Sequence, residues 1–407
     1  MGSSLFFRRL RLETISVSDR RPISGETLPE IVSSKRIPAL DGLRGLAILL
    51  VLMAHTLSLT HLMNHPSLNW MIRMTRLSWS GVDLFFVLSG FLIGGILLDA
   101  RNSPNYFKTF YIRRAYRILP LYGLVLVLGW LIFQLGQLGW MRGGWEDLFS
   151  GPMPWWTFFT FTQNISMALA GPLVGRISLS QTWSLAVEEQ FYLTLPLLIR
   201  YVPRRFLQYV ALAFVVGASL FRVLLILYFH HGGYASYVLM PSRADALGLG
   251  IFSALLVREE RSWSWLRAHR TWLYVLAGLG CFLLILISLS SFETSDTTFW
   301  GAEYLILGFF YTSLLLIAVT GEDHFVRTIL CNRQLMSLGL IAYGTYMLHL
   351  LFLRVALLCL SSMTASRSAG FFFVSNLLGL GMSIFIAQLS WDWFEKPLVR
   401  RGHRYGY

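Results

Sequence analysis

Ten stretches of about twenty mostly apolar residues recur along the chain, at roughly 42–62, 80–98, 118–138, 181–199, 207–229, 240–257, 272–291, 301–320, 337–359 and 370–392. At ~1.5 Å of rise per residue, each is long enough to cross the ~30 Å hydrocarbon core of a bilayer as a helix. No water is available there, so every backbone amide must be satisfied inside its own segment. The chain is therefore expected to be an all-α polytopic membrane protein of about ten transmembrane helices. Composition agrees: of 407 residues, 55% are hydrophobic and 14% charged, against about 25% charged in soluble domains.

A net charge of +13 would suit a nucleic-acid binder. The basic residues instead fall in short blocks between apolar runs, as the positive-inside rule expects, so no nucleic-acid partner is implied. With Arg44 counted on the N-terminal side, 26 Lys and Arg fall on that side of the membrane, 5 on the other and 3 inside spans. This split predicts both termini in the cytoplasm and a multi-pass protein of the inner (plasma) membrane, surrounded by its lipids. The aromatic, Thr-rich stretch 154–170 is expected to be re-entrant or interfacial, because an eleventh span would reverse every later loop. Residues 1–36 read as a disordered basic cytoplasmic tail, 37–397 as the membrane domain and 398–407 as a short cytoplasmic tail. No cleavable leader is expected, since the N-terminus lacks an apolar core. Cys281, Cys331 and Cys359 have neither paired nor CxxC spacing, so no metal or redox framework is implied.

Several polar residues interrupt the apolar runs. Arg44 and His55 are eleven residues apart, which on a helix puts them on nearly one face, roughly 16 Å apart along the axis. An ionisable group half way through a bilayer is costly and marks a functional position unless it merely bonds between helices. The second span begins GVDLFFVLSGFLIGG, with Asp83 near its end and small residues at Ser89, Gly90, Gly94 and Gly95 that permit close helix approach. The next loop, FYIRRAYRILP, carries Arg113, Arg114 and Arg117. They are either topology anchors or a clamp for a phosphate-bearing donor, which guanidinium forks suit.

The fourth span opens QTWSLAVEEQFYL. Glu188 and Glu189 point ~100° apart on a helix, so one can face a cavity while the other reaches the interface. Trp183 and Tyr192 fit an interfacial aromatic belt. Arg243 and Asp245 either neutralise each other or face a cavity, and Arg222 and Arg354 sit near the outer ends of spans. Tyr346 lies one turn before His349.

LDGLRG with His55, GVDLFFVLSGFLI, RRAYRILP, TWSLAVEEQFYL, YGTYMLH and the terminal FEKP resemble, in that order, the membrane acyltransferase-3 family, over about residues 36–400. The resemblance implies a ten-span O-acyltransferase for sugars and other small hydroxylated molecules. Its donor would be acetyl-CoA or another acyl-CoA, with no metal. The family's Arg-x10-His motif falls on Arg44 and His55, its loop arginines on Arg114 and Arg117, and its WSL-x-x-E on Trp183 and Glu188. Many members carry a further C-terminal hydrolase-like (SGNH) domain; a chain ending at Tyr407 reads as the form without it.

On this basis Arg44, Arg113, Arg114 and Arg117 are expected to bind the donor's phosphates. His55 is expected to act as general base or acyl carrier, with Glu188 or Asp83 orienting it or binding the acceptor. Trp183, Glu189, Arg243, Tyr346 and His349 are candidates for the substrate site. The acceptor would be a carbohydrate, a lipid-linked glycan or a small molecule, and a separate transferase could take the acyl group on. A polytopic transporter with buried charges along its path is the alternative from another class.

Overall fold

The computed structural model describes residues 37–58, 76–171, 176–289, 297–321, 323–364 and 368–407. The tail expected over 1–36, and Arg73 and Arg367 of the charge count, lie outside them. Among the described residues every regular element is helical.

Helix α1, Pro38–Ser58, starts with a proline in its first turn and Asp41 close behind. Both suit a helix N-terminus, where an amide is unpaired in any case and negative charge meets the dipole. A short 3-10 turn leads into α2, Gly81–Asp99, and α3 covers Tyr106–Gln137. The stretch 154–170 forms α4, Trp155–Phe159, and α5, Gln163–Ala170, both too short to cross a membrane. Next come α6, Trp183–Tyr201, and α7, Arg204–Tyr228, followed by α8, Gly232–Val238, and α9, Met240–Leu256. They are followed by α10, Glu260–Ala268, α11, Arg270–Leu289, and α12, Thr297–Thr320. The chain continues through α13, His324–Leu330, α14, Arg333–Leu340, α15, Ala342–Met363, and α16, Ala369–Ser390. A π-turn at Trp391–Glu395 joins α16 to α17, Lys396–Gly402. Asp323 and Asn332 cap α13 and α14, their side chains accepting from Phe325 N and Gln334 N at 2.8 and 2.9 Å.

Among the described residues eight helices are long and apolar enough to cross a membrane, nine if the bent pair α8–α9 counts as one span. The pair turns by 41° at Leu239, which is extended just before a proline in the first turn of α9. The remaining expected span, the fourth at 181–199, does form a helix, α6. It carries Glu188, Glu189 and Arg200, too many charges for a span defined by apolarity. Of the three, Glu188 lines the cavity described below.

Two crossings position the site. Gly42 and Gly45 of the LDGLRG stretch abut backbone carbonyls of Leu330 and Leu335, so α1 lies directly on the α13–α14 segment with no room for a side chain. At the second crossing, Gly90 of α2 and Gly250 of α9 face each other across similarly close backbones. The small residues of SGFLIGG thus serve partly as a helix contact. Ser89, turned another way, does not.

Candidate active site

Between α1, α2, α3, α6 and α15 lies a cavity whose polar lining is Arg44, Ser89, Arg114, Arg117, Ser184, Glu188, Tyr192, Tyr343 and Tyr346. Apolar residues of α2, among them Phe85, Phe86, Leu92 and Ile93, make the opposite wall. The pitch of each helix decides who faces in. On α6, Ser184, Glu188 and Tyr192 recur every four residues and share one face, whereas Glu189 is outside the lining.

Glu188 is held on both oxygens. Ser89 Oγ donates to Oε1 at 2.7 Å and Tyr192 OH to Oε2 at 3.0 Å. Such bonds fix a carboxylate that would otherwise find no water. At the end of the cavity nearer the N-terminus of α1, the guanidinium of Arg114 lies over the rings of Phe110 and Tyr192, at 5.9 and 5.6 Å. Its Nε is buried without a hydrogen-bond partner. Arg44 makes one ion pair, to Asp41 at 3.1 Å, and stays about a third exposed at its side chain. Donors left over in a guanidinium cluster are what a phosphate group can satisfy. Arg113 differs: its Nε and Nη2 both donate to the carbonyl of Tyr405, so it anchors the C-terminal segment.

The far end is closed by Tyr346, whose hydroxyl lies 2.5 Å from Ser184 Oγ and donates to Gln181 O at 2.7 Å. Behind it lie the two histidines, which are not in the cavity lining. The ring of His349 is 5.7 Å from that of Tyr346 and meets His55 edge to face at 4.8 Å. His55 Nδ1 donates to Val51 O at 2.9 Å and His349 Nδ1 to Tyr346 O at 2.7 Å. A carbonyl only accepts, so in both neutral rings the lone pair falls on Nε2. His349 Nε2 is buried without a hydrogen-bond partner.

The other candidates are not brought to the cavity. Asp83 pairs with Arg243 at 2.7 Å, and Arg222 pairs with Asp245 at 2.7 Å. Arg243 and Asp245 therefore do not neutralise each other, as sequence neighbours two apart suggested; each has a partner on another helix. Tyr304 lies against both guanidiniums, at 4.2 and 4.9 Å, and all four charged side chains are buried. Asp83 Oδ1 is held by Arg243, and Asp83 is outside the cavity lining. Trp183 is buried against Phe86 and Tyr237, away from any interfacial belt. Ser184, Gln181 and Tyr343 were not singled out from sequence. The spacing of Ser184 and Glu188 on one face of α6 was the available signal. Among the described residues no group of three or more His, Cys, Asp or Glu could hold a metal ion.

The model of a family described as "Acyltransferase domain", acyltransferase-3, matches residues 37–391. The chain is 29% identical over 389 residues to a Bacillus subtilis protein named "Putative peptidoglycan O-acetyltransferase YrhL", covering 90% of this chain and 56% of that protein. It is 35% identical over 170 residues to the peptidoglycan O-acetyltransferase OatA of Listeria monocytogenes, covering 40% of this chain and 24% of OatA. The chain spans about half the length of the curated relatives that it matches along most of its own length. No solved structure matches it.

Proposed function

The chain belongs to the acyltransferase-3 family, and we propose that it transfers an acyl group, acetyl by preference, from acyl-CoA to a hydroxyl of a carbohydrate acceptor. The observation that carries this is a single cavity with unsatisfied arginine donors at one end and a tyrosine backed by two histidines at the other. Arg44, Arg114 and Arg117 would hold the donor's phosphates at the cytoplasmic mouth. The pantetheine arm would run past Ser89 and Glu188, bringing the thioester to Tyr346. The helical rise of roughly 16 Å from Arg44 to His55 is of the same order as that arm.

His55 acts as general base through Nε2, its ring fixed by the Val51 carbonyl. It takes the proton of the acceptor hydroxyl as that oxygen attacks the thioester carbon. The carbon–sulfur bond breaks, and the proton passes to the leaving thiolate. In the covalent variant Nε2 attacks the thioester carbon and expels the thiolate. The acceptor oxygen then takes the acyl group from the imidazole while its proton passes to the thiolate. Either route needs Tyr346 to turn aside, since its ring separates the cavity from the histidines. Glu188 stays in the cavity wall and faces the acceptor or the arginines rather than His55.

The names of the relatives support a glycan acceptor, peptidoglycan first, and the charge asymmetry supports an inner-membrane protein with its arginine end in the cytoplasm. A separate transferase completing the transfer fits the same donor chemistry. Arg243 and Asp245, the buried charges that a transporter's path would use, are held in ion pairs outside the cavity lining, which favours the acyltransferase reading. Mass spectrometry of surface glycans from cells with and without the gene tests the proposal. Loss of O-acetyl groups from one glycan class is expected, and an unchanged acylation pattern with altered uptake of a solute would contradict it.

A further inference from the structure

Residues 392–407 lie past the stretch matched by the family, yet they are built against the arginine cluster. Gly402 is buried, with no more room than its hydrogen beside Tyr116. Arg113 Nε and Nη2 donate to Tyr405 O at 3.0 and 2.7 Å, and Thr109 Oγ1 donates to Gly406 O at 2.7 Å. The Arg113 guanidinium also lies 4.8 Å over the Tyr407 ring. These interactions hold His403 and Tyr407 as one wall of a second cavity whose other wall is Arg44, Arg113, Arg114 and Arg117. Arg44, Arg114 and Arg117 line the main cavity too, so the two spaces share the arginines.

We propose that this C-terminal segment is part of the donor site, and that His403 is a phosphate ligand which takes up a proton as the donor's phosphates dock. The proposal rests on acyl-CoA being the donor. The groups facing His403 are cationic almost throughout: Arg113, Arg114 and Arg117 from α3 and Arg44 from α1. From its own segment comes the Tyr407 phenol, and the Glu395 carboxylate, in the π-turn before α17, acts on Arg117. Burial, and then the guanidiniums of Arg113, Arg117 and Arg114, hold the free imidazole below its ordinary value. A bound polyphosphate reverses that balance. It cancels the guanidinium field and offers oxygens to which a charged imidazole can donate.

The sign follows from linkage. The imidazole pKa is depressed in the free protein and raised in the complex, so between those two values binding takes up a proton. Affinity therefore climbs as pH falls through that window and levels off below the free-state value. The 3′-phosphate of CoA gains its own proton near pH ~6. For that reason the informative quantity is the difference between wild type and His403→Gln, in which the ligand's titration cancels.

The experiment is calorimetric titration of the purified full chain with CoA at about pH 7.5 and about pH 6, in two buffers of different ionisation enthalpy. Between these pH values wild-type affinity should rise roughly 3- to 10-fold relative to His403→Gln, with an uptake of protons in wild type that exceeds the variant's. Arg113→Gln, which releases Tyr405, should lose the same pH-dependent gain, and a variant that keeps the wild-type gain overturns the part of the C-terminal segment in the donor site. Equal pH slopes and equal proton uptake in wild type and His403→Gln overturn the role of His403. Failure of the wild type to bind CoA at either pH overturns the donor assignment beneath it, a result distinct from the first.

Discussion

At the scale of residues, some polar groups hold the fold and others are proposed to act on the substrate. His55 and His349 each give Nδ1–H to a backbone carbonyl, so both keep a lone pair on Nε2. His55→Ala should cut acyl transfer ~10²–10⁴-fold, as loss of a general base does, and His55→Gln should fail equally because it keeps a hydrogen bond but no basicity. Transfer from labelled acetyl-CoA in membranes checks both. Asp83 and Arg243, by contrast, are spent on each other. Asp83→Ala should lower stability by about 3–5 kcal/mol by leaving a buried guanidinium alone, and adding Arg243→Leu should recover most of the loss. Thermal melting in detergent measures it. A single variant that melts like wild type but transfers no acyl group would return Asp83 to the reaction.

At the scale of elements, what could be read in the sequence was local and what could not was long-range. The apolar runs announced the helices. The Arg44–His55 spacing and the split of Glu188 from Glu189 followed from helical geometry alone. The partners did not: Glu188 meets Ser89 from another helix, Arg243 finds Asp83 rather than Asp245 two residues away, and Arg113 is claimed by the C-terminal segment. None of these pairings leaves a periodic trace. The charges of α6 made it the expected span least apolar by composition, and one of them, Glu188, lines the cavity. The helix crossings give a stability test. Gly90→Val would drive a side chain into the Leu247 carbonyl and should cost on the order of 1–3 kcal/mol or more. Gly123→Ala, in α3 with open space around it, should be neutral or stabilise by about 0.5–1 kcal/mol. Paired melting curves decide, and equal effects would mean that α2 and α9 do not approach as described.

At the scale of the molecule, α1, α2, α3, α6 and α15 enclose one cavity, which the proposed function reads as the path from donor phosphates to the reacting hydroxyl. Topology comes first. In a background lacking Cys281, Cys331 and Cys359, Arg142→Cys should react with an impermeant reagent from outside, and Ser264→Cys only from inside. Labelling of both from one side would contradict the assigned orientation. In the proposed function, donor docking and acyl transfer sit at opposite ends of one cavity. The most direct measurement compares CoA affinity with acyl-transfer rate in Arg114→Gln/Arg117→Gln and in His55→Ala. The arginine pair should weaken CoA binding by about 1.5–3 kcal/mol for each charge-assisted phosphate hydrogen bond removed. His55→Ala should bind CoA as wild type does and fail to transfer. Wild-type CoA affinity in the arginine variant, or near-normal transfer without His55, would contradict the account.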